Sequence, residues 1–390
     1  MNGLIEKGCW TVRQFGAALK HVDYEIQAPH PDFIIKPIDG FGNPDMLRIA
    51  LASEKPDVLM IFTDPRFFTW LWSMEDEIHQ ICPIAYWHVW DNYPVPEFNN
   101  NYYASTDLIN CHSHLTYEMV SKNFPERTNF IPHALPDELF YPLEDNEIKK
   151  NKASLLGHNK RDNFVLFWVN RNAKRKRPSD VLHAWKKFLD KLAPAQREKV
   201  TLLMHTDPLD QEGPNLIAVM NMLEIQDSVM FSNKRLKFEE MNVLHNISDA
   251  CINIAFAEGF GLATLESMKV GNPIIASKTG GLTRQVVDHR DGSENGVALD
   301  IKTKTLVGSQ SVPYIYEDYV CLDETADAIY KLYSMDNNEK KALGSKAREY
   351  VQSEFHIQKT IDAWHESLLT LSNDWKEKKR VVPRYSITEL

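Results

Sequence analysis

The chain has 390 residues, of which 43% are hydrophobic and 25% charged, so it has the composition of a globular protein and enough length for two domains. Its net charge of −10 argues against a general nucleic-acid-binding protein. No apolar run approaches the roughly 20 residues that cross a bilayer, and the N-terminus lacks a signal-peptide pattern. We therefore expect a cytoplasmic protein with no transmembrane segment.

The first domain, predicted over residues 1–145, alternates candidate strands with helical stretches, which indicates a parallel, doubly wound sheet. A helix is predicted over Val12–Lys20, shortly after Gly3 and Gly8. Domains of this kind normally open with a strand, so we expect that first strand to be very short, missing or lost upstream of Met1. The strands predicted for this domain are Asp57–Phe62, Pro83–Val89, Leu108–Cys111 and Asn129–Pro132.

A polar segment that contains several lysines, Leu143–Asp162, is predicted to be the linker between the domains. The second domain, predicted over residues 160–358, again alternates strands with helices, and one helix begins near the N-cap residue Ser179. Val307–Val320 has no helical or strand periodicity and is predicted to be a long loop. The strands predicted for the second domain are Phe164–Val169, Val200–His205, Val229–Ser232, Ile252–Phe256, Ile274–Ala276 and Gly296–Leu299. Its last two predicted helices are Asp323–Met335 and Glu339–Glu354, and a further helix, Gln358–Lys376, is predicted after them.

One stretch, residues 255–277, differs from the rest of the chain. A buried strand leads into the run EGFG at 258–261, and good helix formers follow over Leu262–Val270. A glycine turn that opens a helix directs unpaired N–H groups and the positive end of the helix dipole at one point, which suits a phosphate or diphosphate. Gly259 and Gly261 would allow that ligand to approach the backbone closely.

Two carboxylates flank this candidate anion site. Glu258 precedes the turn and Glu266 lies about one helical turn beyond it. Carboxylates would repel a phosphate but accept hydrogen bonds from paired hydroxyl groups, so sugar hydroxyls are their candidate ligands. The alternative is an ordinary strand-turn-helix unit with two surface glutamates.

A basic run, residues 171–177, follows the first strand of the second domain and contains five basic residues in seven. Fixed cations at the carboxyl end of a strand would stabilise the negative charge that builds up on a leaving nucleoside diphosphate. A solvated charge run and a nucleic-acid patch are the alternatives.

These segments, together with Leu265-Glu266, Gly271-Asn272-Pro273 and Gly280-Gly281-Leu282, resemble the donor-site motif of family four of the retaining GT-B glycosyltransferases, the glycosyl transferases group 1. The resemblance implies an α/β protein of the GT-B fold, in which two Rossmann-like, doubly wound parallel-sheet domains face a central cleft. It also implies that a helix over about residues 360–390 packs back on the first domain. Two departures from the family pattern are Ala134, where glycine is usual, and Thr283-Arg284, where a glutamate often follows the paired glycines.

The resemblance implies roles for individual residues. Arg171 and Lys176 match the family residues that grip the diphosphate, and Glu258 and His88 match those that contact the transferred sugar. A single histidine beside aromatic residues is otherwise more often structural, and His112, His114 and His133 lack the support of a family match. The residues expected to bind the nucleotide sugar are Gly259, Phe260, Gly261, Leu262 and Glu266, of which Glu266 is expected to bind the ribose hydroxyls.

The sequence contains no Asp-x-Asp pair, so we expect no metal and no resident cofactor. The function implied is metal-independent transfer of a hexosyl or pentosyl group, with retention, from a co-substrate such as a UDP-, GDP- or ADP-sugar. The acceptor would be a glycan, a lipid-linked sugar or a small molecule. The alternatives are a nucleotide-sugar epimerase or hydrolase of the same fold, a non-catalytic nucleotide-sugar sensor, and a glycosyltransferase that acts on modified DNA bases.

Overall fold

The computed structural model of the chain describes residues 1–17 and 25–381. In the first domain the strands are β1 Val12–Ala17, β2 Gln27–His30, β3 Phe33–Ile38, β4 Leu59–Phe62, β5 Ile84–His88, β6 Leu108–Cys111 and β7 Thr128–Phe130. Strands β4 to β7 form a parallel sheet in that order, and the first three form a separate sheet in the order β1-β3-β2. The helices are α1 Asn2–Glu6, α2 Pro44–Glu54, α3 Thr69–Trp72, α4 Glu75–His79, α5 Asn100–Ala104 and α6 His114–Ser121.

The helix predicted to begin at Val12 is wrong. Val12–Ala17 is strand β1, which pairs in parallel with β3 so that Val12 lies opposite Phe33. This pairing is non-local, and it overrides the weak local preference on which the prediction rested. Strand β1 has six residues and begins after Gly3 and Gly8, and the segment before it contains helix α1. Residues 18–20 of the predicted helix lie outside the described residues.

In the second domain the strands are β8 Phe164–Val169, β9 Val200–His205, β10 Val229–Ser232, β11 Ala250–Asn253, β12 Ile274–Ser277, β13 Gly296–Leu299, β14 Thr303–Val307 and β15 Ile315–Tyr319. Strands β8 to β13 form one parallel sheet in the order β10-β9-β8-β11-β12-β13. The order reverses between β8 and β11, and ligands of open α/β sheets bind outside the carboxyl ends of the strands at such a point. The basic run follows β8 and the glycine turn follows β11, so the sheet itself brings the two segments together.

The helices of this half of the chain are α7 Asp145–Leu156, α8 Pro178–Asp190, α9 Pro194–Arg197, α10 Leu216–Met222, α11 Phe238–Asn246, α12 Leu262–Lys269, α13 Thr283–Val286, α14 Leu322–Ser334, α15 Asn337–Glu354 and α16 Ile357–Val381. The helices that were predicted in this half of the chain agree closely with the observed ones, and the structure adds several short helices and α7. Among the described residues no helix is both long enough and apolar enough to cross a membrane.

The segment predicted as a linker is largely helical. Helix α7 packs against the second domain, where Leu156 lies in a buried cluster with Val165 and Phe167. Lys152 Nζ on the same helix donates a hydrogen bond to Asp249 Oδ2 at 3.1 Å. The polar composition of the segment therefore reflects the exposed face of an amphipathic helix, not a flexible connection.

The loop predicted over Val307–Val320 is also wrong. β15 pairs antiparallel with β14, with Val307 opposite Ile315, and the two strands form a sheet of their own. This hairpin is held together by hydrogen bonds between main-chain atoms. Its sequence therefore lacks the alternation of apolar and polar side chains that would have predicted strands.

Helix α16 returns to the first domain, as expected from the resemblance. Trp364 and Leu368 are buried in a cluster that includes Leu4 and Leu108. Trp10 Nε1 donates a hydrogen bond to His365 Nδ1 at 2.9 Å. These contacts come from residues 364–368 of α16, and residues 382–390 lie outside the described part of the chain.

Candidate active site

The glycine turn lies between β11 and α12, as the sequence predicts. Gly261, immediately before α12, has a φ of 95°, which favours glycine. The buried Gln285 donates from Nε2 to the carbonyl oxygen of Phe260 at 2.8 Å, and Thr264 Oγ1 donates to the carbonyl oxygen of Gly261 at 2.8 Å. These bonds fix the backbone of the turn before any ligand arrives, which is how a preorganised anion site is built.

Glu258 is 8% exposed and lies between two cations of the basic run. Lys176 Nζ forms an ion pair with its Oε2, and Arg175 Nη1 lies 3.8 Å from its Oε1. Burial alone would raise the pKa of Glu258, but Lys176 and Arg175 outweigh burial and hold that pKa below its ordinary value. Glu258 is therefore ionised at neutral pH.

Asp91 approaches the same cluster from the first domain. Its Oδ2 lies 3.4 Å from Arg175 Nη1. A β-carbon added to Gly259 would lie 2.7 Å from Asp91 Oδ1, and one added to Gly280 would lie 2.5 Å from the carbonyl oxygen of Asp91. The two domains can meet this closely only because both positions lack a side chain.

His88 lies in the interior of the first domain with an exposure of 0%. Its Nδ1 lies 2.9 Å from the Tyr86 hydroxyl and its Nε2 lies 2.6 Å from the Tyr103 hydroxyl. Burial lowers its pKa to about 3. Residues two apart on a strand point to the same face, and on β5 the face shared by Tyr86 and His88 is buried. In this structure both ring nitrogens of His88 are thus occupied by tyrosine hydroxyl groups, and its contact with a transferred sugar stays a prediction.

His112 is the histidine that reaches the glycine turn. A β-carbon added to Gly259 would lie 3.2 Å from His112 Nε2. The ring is 2% exposed and stacks on His133 with the centroids 4.8 Å apart, and its Nδ1 has no hydrogen-bond partner among the described residues. Burial, and then the neighbouring His133 and His88, lower its pKa well below the ordinary value.

No individual role was predicted for Asp91, Arg175 or His112. Two of them could have been found from their positions in the sequence, because Asp91 comes shortly after strand β5 and His112 directly after strand β6. The carboxyl ends of parallel strands meet at the edge of the sheet that faces the cleft.

Arg171 does not join Lys176 in this structure. Its guanidinium makes a two-pronged contact with Asp210, with Nε 2.7 Å from Oδ2 and Nη2 3.0 Å from Oδ1. The side chain is 51% exposed. Of the basic run, Arg175 and Lys176 contact Glu258 at the start of the glycine turn.

Glu266 lies on α12, beside the turn, with its Oε2 3.0 Å from His245 Nε2. Its side chain is 17% exposed, so it is partly accessible to solvent. Phe260 is buried and meets His133 edge to face at 5.0 Å, so it supports the turn from the inside. Leu262, the first residue of α12, is exposed.

Comparison with known proteins agrees with this geometry. Residues 148–305 match the family described as glycosyl transferases group 1. The matched residues lie mostly in the second domain.

The relatives of the chain are distant in sequence. N-acetyl-alpha-D-glucosaminyl L-malate synthase of Bacillus anthracis is 24% identical over 280 residues, which are 70% of this chain and 62% of that relative. The chain spans less than two thirds of the curated relatives it matches first, a group that includes trehalose synthase of Pyrococcus horikoshii.

Solved structures show the same architecture across both domains. Sucrose-phosphate synthase from Thermosynechococcus elongatus matches with a TM-score of 0.70 at 18% identity, over 97% of this chain and 92% of that one. Anabaena HepE, solved in complex with UDP and glucose, matches with a TM-score of 0.60 at 17% identity, over 89% and 86% of the two chains. The predicted GT-B fold is confirmed.

Proposed function

We propose that the protein is a glycosyltransferase that moves a sugar from a nucleoside-diphosphate donor to an acceptor hydroxyl with retention at the anomeric carbon. The observation that carries the proposal is the glycine turn at residues 258–261, which is called the donor turn below. Buried, ionised Glu258 is held by Lys176 and Arg175 where a glycine turn opens α12. The family match of the second domain supports the same activity.

In this reaction the bond between the anomeric carbon and a diphosphate oxygen breaks, and the diphosphate gains negative charge. The N–H groups at the start of α12 and the ammonium of Lys176 would stabilise that charge. The acceptor oxygen bonds to the anomeric carbon on the face that the diphosphate leaves, and its proton passes to the departing phosphate.

The two glutamates would bind different parts of the donor. Glu258, next to the diphosphate cations, is placed to accept hydrogen bonds from the transferred hexosyl or pentosyl group. Glu266 is placed to bind the ribose. HepE was solved with UDP and glucose, and we propose a UDP-sugar as the first donor to test, with GDP- and ADP-sugars as the next.

The experiment is a thermal-shift screen of nucleoside diphosphates and nucleotide sugars, followed by turnover with and without acceptor. A ligand at 100 times its Kd should stabilise the native state by about 2.7 kcal/mol. A panel in which no nucleotide raises the melting temperature contradicts the proposal. A donor that is consumed without acceptor points instead to an epimerase or hydrolase.

Side-chain cations are proposed to neutralise the diphosphate without a metal. Turnover should therefore persist in excess EDTA and should not rise when Mn²⁺ or Mg²⁺ is added. Activity lost in EDTA and restored by either ion would contradict this part of the proposal.

A further inference from the structure

The hairpin of β14 and β15, with residues 308–314 between them, is called the cleft hairpin here. The end of the hairpin that contains Asp318 is hydrogen-bonded to residues beside the donor turn. Asp318 N donates to the carbonyl oxygen of Phe256 at 2.9 Å, and Thr279 Oγ1 donates to Asp318 Oδ2 at 2.7 Å. Asp318 is 2% exposed. Phe256 and Thr279 lie just before the two glycine segments of the site, so the hairpin is tied to both of them.

The main chain of Tyr316, in the middle of β15, is hydrogen-bonded to two residues of the first domain. Tyr316 N donates to the carbonyl oxygen of Tyr93 at 2.8 Å, and Asn92 Nδ2 donates to the carbonyl oxygen of Tyr316 at 3.0 Å. Asn92 is 1% exposed, and its Oδ1 accepts a hydrogen bond from Tyr93 N at 2.8 Å. Both polar ends of this buried amide are therefore used to hold Tyr93 and Tyr316 together.

A side chain near the tip of the hairpin extends the contact. The Tyr314 hydroxyl accepts a hydrogen bond from Glu97 N at 3.2 Å. The Tyr314 ring meets Phe98 edge to face at 5.1 Å, and Phe98 in turn meets Trp90 at 5.7 Å. Residues 90–98 of the first domain are thus held along their length by one element of the second domain.

That segment carries Asp91, which lies 3.4 Å from Arg175 and against Gly259. We propose that the cleft hairpin positions Asp91 against the donor turn, so that an element of the second domain completes the first-domain side of the site. Asn92 and Tyr314 would be positioning residues that do not touch the donor. This inference rests on the proposed function, because it assigns a role within the same cleft.

The consequence for catalysis is specific. A shift of about 1 Å in a reacting or orienting group can lower a rate by about 100-fold. Nucleotide binding should be spared, because Lys176, Glu266 and the glycine turn all belong to the second domain. A loosened hairpin should also admit water to the cleft, so that more of the donor is hydrolysed.

The test compares Tyr314→Ala and Asn92→Ala with Thr305→Ala, a substitution at an exposed position of the same hairpin. We expect the first two to lower kcat by about tenfold or more and to raise the share of donor lost to water, while the Kd for UDP changes by less than about twofold. Tyr314→Phe keeps the ring and should retain most of the turnover. Hydrogen exchange at residues 90–98, measured without substrate, should be faster in Tyr314→Ala than in wild type.

The outcomes separate the two proposals. If the wild-type protein neither binds a nucleoside diphosphate nor consumes a donor, the proposed function fails. If the wild type is active and Tyr314→Ala matches Thr305→Ala in kcat, only the positioning role fails. A loss of UDP affinity that parallels the loss of kcat also overturns that role, and so does unchanged hydrogen exchange at residues 90–98.

Discussion

Glu258 and Glu266 lie eight residues apart, and different partners hold them. Glu258 is paired with Lys176 at the turn, whereas Glu266 lies on α12 beside His245. A contact to ribose is equally strong in the ground state and the transition state, so its loss mainly raises the KM for the donor. A contact to the reacting sugar strengthens as positive charge develops on the ring, so its loss lowers kcat.

We therefore expect Glu266→Gln to weaken UDP binding and Glu258→Gln to bind UDP almost normally but to turn over slowly. Each variant is the control for the other, because both exchange a carboxylate for an amide of the same size. Calorimetric titration with UDP and steady-state kinetics measure the two effects. The reverse pattern would show that the roles are exchanged.

Three histidines of the first domain, His88, His112 and His133, predict how stability changes with pH. Burial lowers the pKa of His88 to about 3 and that of His133 to about 4, and it lowers the pKa of His112 as well. The folded protein holds these rings neutral, while the unfolded chain takes up protons below about pH 6.5. Their contribution is therefore fully present above about pH 6.5 and declines as the pH falls towards the folded-state values, by about 1.4 kcal/mol per pH unit for each ring.

His88→Gln should reduce the pH dependence of the free energy of unfolding. The glutamine amide can still form hydrogen bonds with the hydroxyl groups of Tyr86 and Tyr103, but it does not titrate. Between pH 7.5 and pH 5.5 the free energy of unfolding of the variant should fall by about 1.4 kcal/mol less than that of the wild type. Urea unfolding at the two pH values measures the difference. His183→Gln, at an exposed position of α8, should behave as wild type, and an equal effect in both variants would contradict the assignment.

Local sequence predicted part of the site. The glycine turn, Glu258 and Glu266 are contiguous in the chain, so their spacing carried the information. Contact between Asp91, His112 and Gly259 depends on how two domains approach each other, which no short motif encodes. His88 and Arg171 matched a family pattern, but in this structure the tyrosine hydroxyl groups and Asp210 occupy their polar atoms.

Among the secondary-structure elements, the strands of the six-stranded sheet in the second domain were predicted most closely. Strands such as β8 and β9 are buried along most of their length, so they appear in the sequence as short apolar runs between turns. β1 and the cleft hairpin were missed because pairing with distant residues defines them. Helix α7 was missed because its exposed face dominates its composition.

Helix α16 should control the stability of the domain to which it returns. Trp364 is 6% exposed and meets Trp87 edge to face at 5.1 Å. Trp364→Ala should lower the free energy of unfolding of the first domain by about 3–5 kcal/mol, as large-to-small substitutions of buried aromatic residues do. UDP affinity should be unchanged.

Chemical denaturation followed by circular dichroism measures this change. Leu369→Ala is the matched control, because Leu369 lies on the same helix and is 43% exposed. Its effect should stay within about 0.5 kcal/mol. Equal destabilisation by both substitutions would show that α16 contributes no buried contact of this size.

At the scale of the whole molecule, the absence of a side chain at Gly259 permits the closed arrangement. Its φ lies outside the left-handed region, so alanine fits the backbone there. The added β-carbon would nevertheless lie 2.7 Å from Asp91 Oδ1. Gly259→Ala should therefore hold the domains apart, with a larger radius of gyration and a lower kcat than in wild type.

Small-angle scattering of the variant and the wild type tests this expectation. Gly16→Ala is the control, because a β-carbon there would lie at an ordinary 3.5 Å from Ile35. A radius of gyration for Gly259→Ala equal to that of the wild type would indicate that the domains tolerate the added methyl group where they meet.

The hydrogen bond between Trp10 and His365 joins residues 355 positions apart. A ribosome that adds about 5–20 residues per second needs on the order of 20–70 s to synthesise the chain between them. Throughout that time the first domain lacks the helix that covers Leu4, Ala85 and Leu108, while the second domain gains its strands and most of its helices. The half that is synthesised first should thus finish folding last, and in the cell it is the half that most needs a chaperone during translation.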